Sequence, residues 1–247
     1  MTEKNRVGVI LAAGIGSRLR EHLAGHSSKL LMEIAGKSLL MRTIQSHEKA
    51  EITKIIIITG WRSDLIKTEI QKQYKGQAEL CFVFNEHYEL NNGVSLLKAK
   101  PYIQHDFLLT MADHVLDDKI MIETIDHVPP EEGAILCVDY KTETVFDLPD
   151  ATKVMVKSGL IQLIGKEIGG YNCIDTGVFI GTNALLNEIE KKYCCDGDAS
   201  LTDGVQALAN QGKMVALDIG CCYWQDVDDF EMIGHAKRLL LENGKGE

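Results

Sequence analysis

The amino-acid sequence predicts a single α/β domain built around a mixed, mostly parallel central sheet with flanking helices. In the first half of the chain, apolar β-branched runs alternate with amphipathic stretches in the order β-α-β-α-β-α-β, which is typical of α/β proteins. These runs are continuously apolar, as expected of parallel strands that are covered on both faces. In the second half, strand-like runs crowd together around residues 134–164, with Pro149 and Gly159 as turn signals. This crowding predicts a hairpin inserted antiparallel into the sheet.

Each element follows from its own residue pattern. Short runs rich in Val, Ile and Leu predict strands, whereas longer amphipathic stretches predict helices. The predicted strands, in chain order, are Val7–Ala12, Ile55–Thr59, Leu80–Phe84, Phe107–Met111, Ala134–Val138, Lys153–Val156, Leu160–Ile164, Asp175–Ile180 and Met214–Asp218. The predicted helices are Leu39–Lys49, Arg62–Tyr74, Val94–Lys100, Lys119–His127, Asn183–Tyr193, Leu201–Gln211 and Val227–Leu241. The polar tail from Asn243 onward predicts a frayed end.

The overall composition excludes several broad classes of function. The 247 residues contain 26 Lys and Arg against 36 Asp and Glu, which gives a formal charge of −10. A general nucleic-acid binder needs a concentrated basic face, so this charge argues against one, whereas a nucleotide pocket needs only a few cations. No apolar run approaches the roughly 20 residues of a membrane span. Because no cleavage site follows the first apolar run, we also expect no signal peptide.

The cysteines indicate a reducing compartment. There are seven, an odd number, with two adjacent pairs and no C-x-x-C motif. They are Cys81, Cys137, Cys173, Cys194, Cys195, Cys221 and Cys222. This pattern argues against a disulfide framework and against a zinc knuckle. We therefore expect small buried thiols in a cytoplasmic protein.

A glycine-rich turn follows the first strand directly, at the place where an open parallel sheet binds its ligands. Small residues there let backbone N–H groups approach a base, a ribose and phosphates closely. The candidate nucleotide contacts in this loop are Leu11, Ala12, Ala13, Gly14 and Gly16. A dinucleotide fingerprint would need a glycine at Leu19, and a Walker A loop would need one at Leu31, so both phosphate loops are excluded. A tight turn without a ligand stays the alternative.

Two cations follow this glycine loop. Arg18 ends the loop, and Lys29 lies 11 residues further on, just before an apolar segment. A guanidinium can fork two phosphate oxygens, and an ammonium can act as a point charge on an α-phosphate. Either residue alone would be interpreted as a solvated surface cation. Beside a glycine loop, the two together predict phosphate binding.

Two aspartates near strand ends predict a metal site. Asp113 follows the Phe107–Met111 strand at the sheet edge that carries the glycine loop, and Asp226 follows a strand close to the last helix. Mg²⁺ is a hard octahedral ion that binds one or two carboxylates together with phosphate oxygens. Asp113 and Asp226 are therefore the candidate Mg²⁺ ligands. For Asp228 and Asp229 we favour N-capping of the last helix.

The segments LAAGIGSRL and SSKLLMEIAGKSLL resemble the signature of the nucleotidyltransferases that activate phosphorylated small molecules, L-A-A-G-x-G-x-R with a later P-K-P-L. Ser28 and Leu30 stand where that signature has two prolines. This resemblance, to sugar-phosphate nucleotidyltransferases and MobA-like NTP transferases, implies a Rossmann-like nucleotide-diphospho-sugar transferase fold. It further implies that Arg18 and Lys29 are catalytic cations and that the two candidate Mg²⁺ ligands hold the metal.

Five further segments narrow the resemblance. NNGVSL, MADHV, YNCIDTGVF, GDASLTDG and WQDVD are similar to segments of the inositol-1-phosphate cytidylyltransferases and of the phosphonate cytidylyltransferases, which couple CMP to 2-aminoethylphosphonate or hydroxyethylphosphonate. The resemblance covers roughly residues 6–240. It implies that Asn92 and Gly93 face the base, that Lys166 binds the acceptor phosphate, and that Asp175 or His114 contacts the other end of the acceptor.

Each of these five residues also has a structural interpretation. Asn92 and Gly93 form a good turn and N-cap, and Lys166 could be a solvated hairpin tip. Asp175 could cap a strand end, and His114 could orient its neighbour, a candidate metal ligand. The sequence leaves these alternatives open.

The predicted function is that of a Mg²⁺-dependent cytidylyltransferase that joins CMP from CTP to a small phosphorylated alcohol or phosphonate and releases pyrophosphate. Residues 1–247 would form one domain, with a nucleotide-binding half at 6–115 and an acceptor-binding half at 116–242. The alternatives are a sugar-1-phosphate or phosphocholine nucleotidyltransferase, a metal-dependent glycosyltransferase, because Asp226-Val-Asp228 is a D-x-D motif, and a non-catalytic nucleotide sensor. We expect no nucleic-acid partner, and a homodimer is compatible with the sequence.

Overall fold

The computed structural model describes residues 6–20 and 28–243. Residues 244–247, where a frayed tail is expected, lie outside this range. The strands are β1 (Val7–Ala12), β2 (Glu33–Ile34), β3 (Lys37–Ser38), β4 (Lys54–Thr59), β5 (Glu79–Phe84), β6 (Phe107–Met111), β7 (His114–Leu116), β8 (Ala134–Asp139), β9 (Lys153–Lys157), β10 (Leu160–Gly165), β11 (Cys173–Gly181), β12 (Met214–Asp218) and β13 (Trp224–Asp226). The helices are α1 (Ser17–Arg20), α2 (Leu39–Lys49), α3 (Ser63–Gln73), α4 (Asn92–Leu97), α5 (Asp118–Thr124), α6 (Asn183–Asp196), α7 (Leu201–Asn210) and α8 (Phe230–Asn243). Three single 3₁₀ turns lie at Lys29–Leu31, Lys100–Tyr102 and Thr142–Thr144.

The main sheet has nine strands in the order β5-β4-β1-β6-β11-β8-β12-β10-β9. Strands β5, β4, β1 and β6 are parallel, and so are β8 and β12. Strand β11 runs antiparallel between β6 and β8. The hairpin β9–β10 is antiparallel, and β9 also pairs with β11. The mixed, mostly parallel sheet and the antiparallel hairpin that the sequence predicts are confirmed.

Helices cover both faces of the sheet, which explains why its strands are continuously apolar. On β1, Val9 and Leu11 join a core cluster that α4, α6 and α7 complete. Ile10 and Ala12 point the other way, into a second cluster completed by α2, α3 and α5. The four isoleucines of β4, residues 55–58, are all fully buried. Each fully buried side chain of this size stabilises the fold by roughly 1.5–3 kcal/mol.

A second, two-stranded sheet joins the two halves of the chain. Strand β7 pairs antiparallel with β13, and this register places Asp226 opposite His114. Under it lies a small apolar cluster that includes Leu19, Val115 and Val227. The sequence did not predict this sheet, because strands of three residues are too short to carry a periodic pattern.

The structure also tests the expectation that the cysteines are free, buried thiols. All seven cysteines are free, as expected. The prediction of buried thiols is confirmed for Cys137, Cys173 and Cys222, whereas Cys81 is half-buried, and it is wrong for Cys194, Cys195 and Cys221, which are exposed. Cys194 and Cys195 lie in the last turn of α6, where the helix side chains no longer pack against the core.

Among the described residues, no helix combines the length and the apolar character that crossing a bilayer requires.

Candidate active site

The glycine loop leaves β1 at the carboxyl edge of the sheet, between two neighbouring strands. The Leu11 carbonyl accepts a hydrogen bond from the backbone of Ala112 at 3.1 Å, and the Ala13 carbonyl accepts one from Trp61 at 3.1 Å. Leu11, Ala12 and Ala13 are buried, so the loop presents backbone rather than side chains at these positions. Gly14 is exposed, and no atom lies within 4 Å of the place where its Cβ would be. The loop therefore has the open backbone that close approach of a nucleotide requires.

Lys29 lies at the centre of a cluster of charged side chains beside this loop. Its side chain is only 7% exposed, and its Nζ donates to Asp113 Oδ2 at 2.7 Å and to Asp228 Oδ1 at 2.5 Å. The hydroxyl of Ser28 accepts from the backbone of Leu30, which caps the 3₁₀ turn that begins at Lys29. Gly16, at φ +63°, packs against the Lys29 stem, since its Cβ would lie 3.2 Å from Lys29 Cβ. The serine and the glycine together fix the position of this ammonium.

The charges of this cluster are set by burial and by ion pairing. Burial alone would lower the pKa of Lys29, but the carboxylates of Asp113 and Asp228 raise it above its ordinary value. Burial would likewise raise the pKa of Asp113, but the Lys29 ammonium and, to a smaller extent, His114 lower it to about 2. Both partners are therefore ionised at neutral pH.

Asp226 lies at the end of β13, close to the other two carboxylates. Burial first, and then the negative charges of Asp228 and Asp113, raise its pKa, while His114 opposes the shift. Its Oδ1 accepts a hydrogen bond from Gln225 Nε2 at 3.0 Å. The two candidate metal ligands, Asp113 and Asp226, therefore lie on neighbouring segments of the chain.

The N-cap interpretation is confirmed for Asp229 but wrong for Asp228. Asp229 Oδ1 accepts from the Met232 backbone at 2.8 Å and caps α8. The Asp228 carboxylate instead contacts Lys29 and lies 3.4 Å from Arg18 NH2. The D-x-D spacing is the sequence signal that could have revealed this, because alternate residues of an extended chain share one face.

Arg18 and Lys166 approach each other through a carboxylate that the sequence analysis missed. Asp150 accepts from Arg18 NH2 with one carboxylate oxygen and from Lys166 Nζ with the other. Asp147 Oδ2 lies 3.9 Å from Arg18 NH1. The hydrogen bond to Asp150 is the main reason that the pKa of Arg18 is raised. No local sequence pattern marks Asp147 or Asp150, since both lie in an irregular turn and meet Arg18 only in the folded chain.

A cavity of about 190 Å³ opens next to this cluster. The predicted acceptor contacts Lys166, Asp175 and His114 all line it, together with Asp150. The other lining residues are Asn92, Met111, Ala151, Thr152, Gly177, Phe179, Leu201, Thr202, Trp224, Asp226 and Asp228. The structure therefore brings the three predicted acceptor contacts together beside the predicted metal ligands.

Asp175 and His114 are half-buried polar residues in the lining of this cavity. Burial raises the pKa of Asp175 to about 6, although its Oδ1 accepts a hydrogen bond from the Gly177 backbone at 2.7 Å. Gly177, at φ +76°, interrupts the β11 register, and a Cβ there would lie 2.7 Å from the His114 ring. His114 Nδ1 is buried without a hydrogen-bond partner among the described residues and lies 3.9 Å from Asp113 Oδ1. The ring packs edge-on against Trp224, with centroids 6.0 Å apart.

Asn92 and Gly93 contact the loop before α7 and the start of that helix. Asn92 Oδ1 accepts from the Leu201 backbone at 2.8 Å, at the first turn of α7. A Cβ on Gly93 would lie 2.6 Å from the Ala199 carbonyl oxygen, so this close approach requires glycine. Both residues therefore join two helices, which is a structural role. Their contact with a nucleotide base stays a prediction.

Comparison with known proteins places this geometry in a family. Residues 8–212 match the MobA-like NTP transferase domain. Two similar curated proteins are both named bifunctional IPC transferase and DIPP synthase. The one from Aquifex aeolicus is 29% identical over 95% of this chain and 51% of its own length, and the one from Thermococcus kodakarensis is 32% identical over 94% and 50%. The chain spans about half the length of the curated relatives it matches.

Solved structures show the same fold. The inositol-1-phosphate CTP transferase from T. maritima superposes with a TM-score of 0.84 at 24% identity, covering 98% of this chain and 97% of that one. A UDP-glucose pyrophosphorylase in complex with UDP-glucose superposes with a TM-score of 0.79 at 14% identity, covering 96% and 99%. Because the matching domain covers most of the 247 residues, the chain belongs to the family of MobA-like NTP transferase domains.

Proposed function

We propose that this chain is a cytidylyltransferase that joins CMP from CTP to a small acceptor carrying a phosphate or phosphonate group, with release of pyrophosphate. The observation that carries the proposal is the position of Lys29 between Asp113 and Asp228, beside the glycine loop and next to a cavity lined by Lys166. The two curated relatives compared above, both named IPC transferase and DIPP synthase, support the choice of reaction class.

The chemistry needs no nucleophilic side chain. An oxygen of the acceptor phosphate or phosphonate is already an anion at neutral pH, and it attacks the α-phosphorus of CTP in line. The bond from that phosphorus to the bridging oxygen breaks, and pyrophosphate leaves with the electron pair. The protein contributes positioning and neutralisation of charge. Lys29 and Arg18 would bind the nucleotide phosphates, and Lys166 the acceptor anion.

We further propose that Asp113 and Asp226 bind Mg²⁺ together with nucleotide phosphate oxygens. The described residues contain no preassembled group of three metal-ligating side chains. The carboxylates of Asp113 and Asp228 nevertheless share a single buried ammonium, and both also act on Asp226, whose pKa their negative charges help to raise, so the cluster carries excess negative charge. One or two carboxylates completed by phosphate oxygens are the donor set that Mg²⁺ favours. When bound, the ion would neutralise phosphate charge. Lys29 would bind the α-phosphate.

The preference for CTP rests on the glycine loop. Its backbone can offer fixed donors and acceptors to the amino group and ring nitrogen of cytosine. UTP would leave those groups wrongly paired, which is expected to cost ~10²-fold or more in kcat/KM. A sugar-1-phosphate nucleotidyltransferase is the second candidate, because the UDP-glucose pyrophosphorylase compared above has the same fold.

The part of the cavity that Asp175 lines suits two classes of acceptor. The Asp175 carboxylate can accept hydrogen bonds from the hydroxyls of an inositol phosphate, or it can pair with the ammonium of 2-aminoethylphosphonate. These acceptors differ in charge, so Asp175→Asn should cost much more kcat/KM with the ammonium acceptor than with the polyol. An equal loss with both acceptors would remove Asp175 from acceptor recognition.

The proposal is tested by pyrophosphate release from each of the four nucleoside triphosphates, against a panel of phospho-alcohols and phosphonates. We expect release from CTP with inositol 1-phosphate or an aminoalkyl phosphonate. A preference for UTP with a hexose 1-phosphate would support the second candidate instead. Release from CTP that does not depend on any acceptor would contradict both.

A further inference from the structure

Six charged side chains form an unbroken series across the site, with alternating sign. The series runs from Asp113 through Lys29, Asp228, Arg18 and Asp150 to Lys166. Its first half lies beside the glycine loop, and its last member lines the cavity. Every cation that the proposed function assigns to a substrate phosphate is therefore already paired with a carboxylate of the protein.

Asp150 pairs with two cations that come from distant parts of the chain. Arg18 follows β1, whereas Lys166 follows β10. Both cations are about half exposed, at 48% and 54% of their side chains, and Asp150 is 32% exposed. All three groups are thus accessible to a small anion, and Asp150 and Lys166 also line the cavity. They are not part of the packed core.

The backbone that carries Asp150 lies outside the main sheet. Asp150 lies in a turn held by hydrogen bonds from residues 150 and 151 to the Asp147 carbonyl, and β9 begins only at Lys153. Lys153 Nζ donates to the carbonyl of Lys166 at 2.8 Å and to that of Pro149 at 3.1 Å. This lysine therefore holds the turn that carries Asp150 beside the backbone of Lys166.

We propose that Asp150 is the resident counter-ion of an anion site formed by Arg18 and Lys166, and that the phosphate or phosphonate group of the acceptor replaces it. The inference rests on the proposed function, which assigns Lys166 to the acceptor anion and Arg18 to the nucleotide phosphates; Arg18 would then lie between the two substrates and contact both. A carboxylate supplies one negative charge for two cations, whereas a phosphate monoester or phosphonate supplies nearly two at neutral pH. The exchange therefore increases the negative charge beside Lys166, whereas Arg18 also lies near the carboxylates of Asp228 and Asp147. Asp150 lowers the affinity for weak anions that cannot displace it.

The test is the binding of methylphosphonate, measured by titration calorimetry at low salt without nucleotide or metal. Two half-exposed ion pairs contribute modestly each, so Asp150→Asn should tighten binding about five- to tenfold. Glu167→Gln is the matched control, because it removes the same charge from an exposed neighbour of Lys166 and should change binding less than twofold. Adding Lys166→Met to Asp150→Asn should abolish the gain.

Unchanged or weaker binding by Asp150→Asn would overturn the inference, and so would an equal gain in the Glu167→Gln control. Thermal unfolding checks that each variant is folded, and Asp150→Ser is the second variant if the asparagine fails to fold. In turnover assays the asparagine variant should lower the acceptor KM, whereas loss of a direct acceptor contact would raise it. Because the binding test uses no CTP, its failure is distinguishable from failure of the cytidylyl-transfer proposal.

Discussion

At the scale of single residues, Lys29 and Lys166 are expected to act at different stages of the reaction. Lys29 is buried between two carboxylates, and charge on the α-phosphate changes as pyrophosphate leaves. Lys29→Met should therefore mainly lower kcat, at least ~10²-fold. Lys166 is half exposed at the acceptor cavity, so Lys166→Ala should raise the acceptor KM with a smaller loss of kcat. Steady-state kinetics separate the two effects. An unchanged acceptor KM in Lys166→Ala would remove that residue from the acceptor site.

The carboxylates give a second prediction at this scale. Asp113→Asn and Asp226→Asn should each lower turnover at least ~10²-fold, equivalent to about 2.7 kcal/mol of activation free energy, because each would weaken Mg²⁺ and phosphate binding. Both lie near strand ends, so thermal unfolding should still be cooperative. Asp229→Asn is the control: asparagine caps a helix as well as aspartate, and turnover should stay within twofold. Near-normal turnover in Asp226→Asn would mean that Asp228, and not Asp226, is the second Mg²⁺ ligand.

The residues that sequence reasoning found differ in kind from those it missed. Arg18, Lys29 and Asp113 follow strands or a glycine loop, so their own surroundings in the chain place them at the carboxyl edge of the sheet. Asp150 lies in an irregular turn, 132 positions from the arginine it binds. Its role is created by the fold. Asp228 was assigned to a helix cap because the sequence does not reveal where α8 begins.

At the scale of secondary-structure elements, the junction between α4 and α7 depends on Gly93. A Cβ there would lie 2.6 Å from the Ala199 carbonyl oxygen, so Gly93→Ala must push the two helices apart. We expect the free energy of unfolding in urea to fall by roughly 1–3 kcal/mol. Gly14→Ala is the matched control, because its Cβ would meet no atom within 4 Å. It should leave stability unchanged but weaken CTP binding. Equal stability of Gly93→Ala and the wild type would contradict the packing role.

Element boundaries were predictable where the apolar pattern alone decides them. Strands β1 and β6 have the bounds that their runs of apolar residues predict. The last helix begins at Phe230 rather than at Val227, because the backbone N–H of Val227 donates to the Asp113 carbonyl and keeps this segment extended beside the site. Strands β7 and β13 were missed because they are stabilised by each other, across about a hundred residues of chain.

At the scale of the whole molecule, the buried His47 links stability to pH. It lies on α2 against Gly8 of β1, and burial lowers its pKa from 6.5 to about 4. Between pH 4 and 6.5 the unfolded chain binds the proton and the folded chain does not. The folded chain is therefore most stable, as far as His47 is concerned, above pH 6.5, and it loses stability as the pH falls toward 4. Between pH 7 and pH 5 the loss should be on the order of 2 kcal/mol.

The measurement is urea unfolding of the wild type and of His47→Gln at pH 7 and pH 5. Asp175 acts in the opposite direction, because its raised pKa of about 6 makes the folded chain less stable as the pH rises from 3.8 through 6. Because both proteins contain Asp175, its contribution cancels in the difference between their free energies of unfolding. That difference should change by on the order of 2 kcal/mol between the two pH values. An unchanged difference would mean that His47 is not buried as a neutral ring.

The fold class can be predicted from the sequence, but the order of the strands in the sheet cannot. Continuous apolar runs identify a covered parallel sheet, whereas nothing in Cys173–Gly181 indicates that β11 inserts antiparallel between β6 and β8. That insertion brings Asp175 from the second half of the chain to the edge that carries Asp113. The site is therefore a product of both halves.

The most direct test of the central claim is ³¹P NMR of CTP incubated with the protein, Mg²⁺ and an acceptor, either inositol 1-phosphate or 2-aminoethylphosphonate. If the chain transfers CMP, the signals of CTP and of that acceptor decline together. Pyrophosphate and a new phosphoanhydride between CMP and the acceptor then appear in equal amounts, and Lys29→Met slows both. Formation of free CMP and pyrophosphate without the conjugate, at a rate that does not depend on the acceptor, would contradict the account.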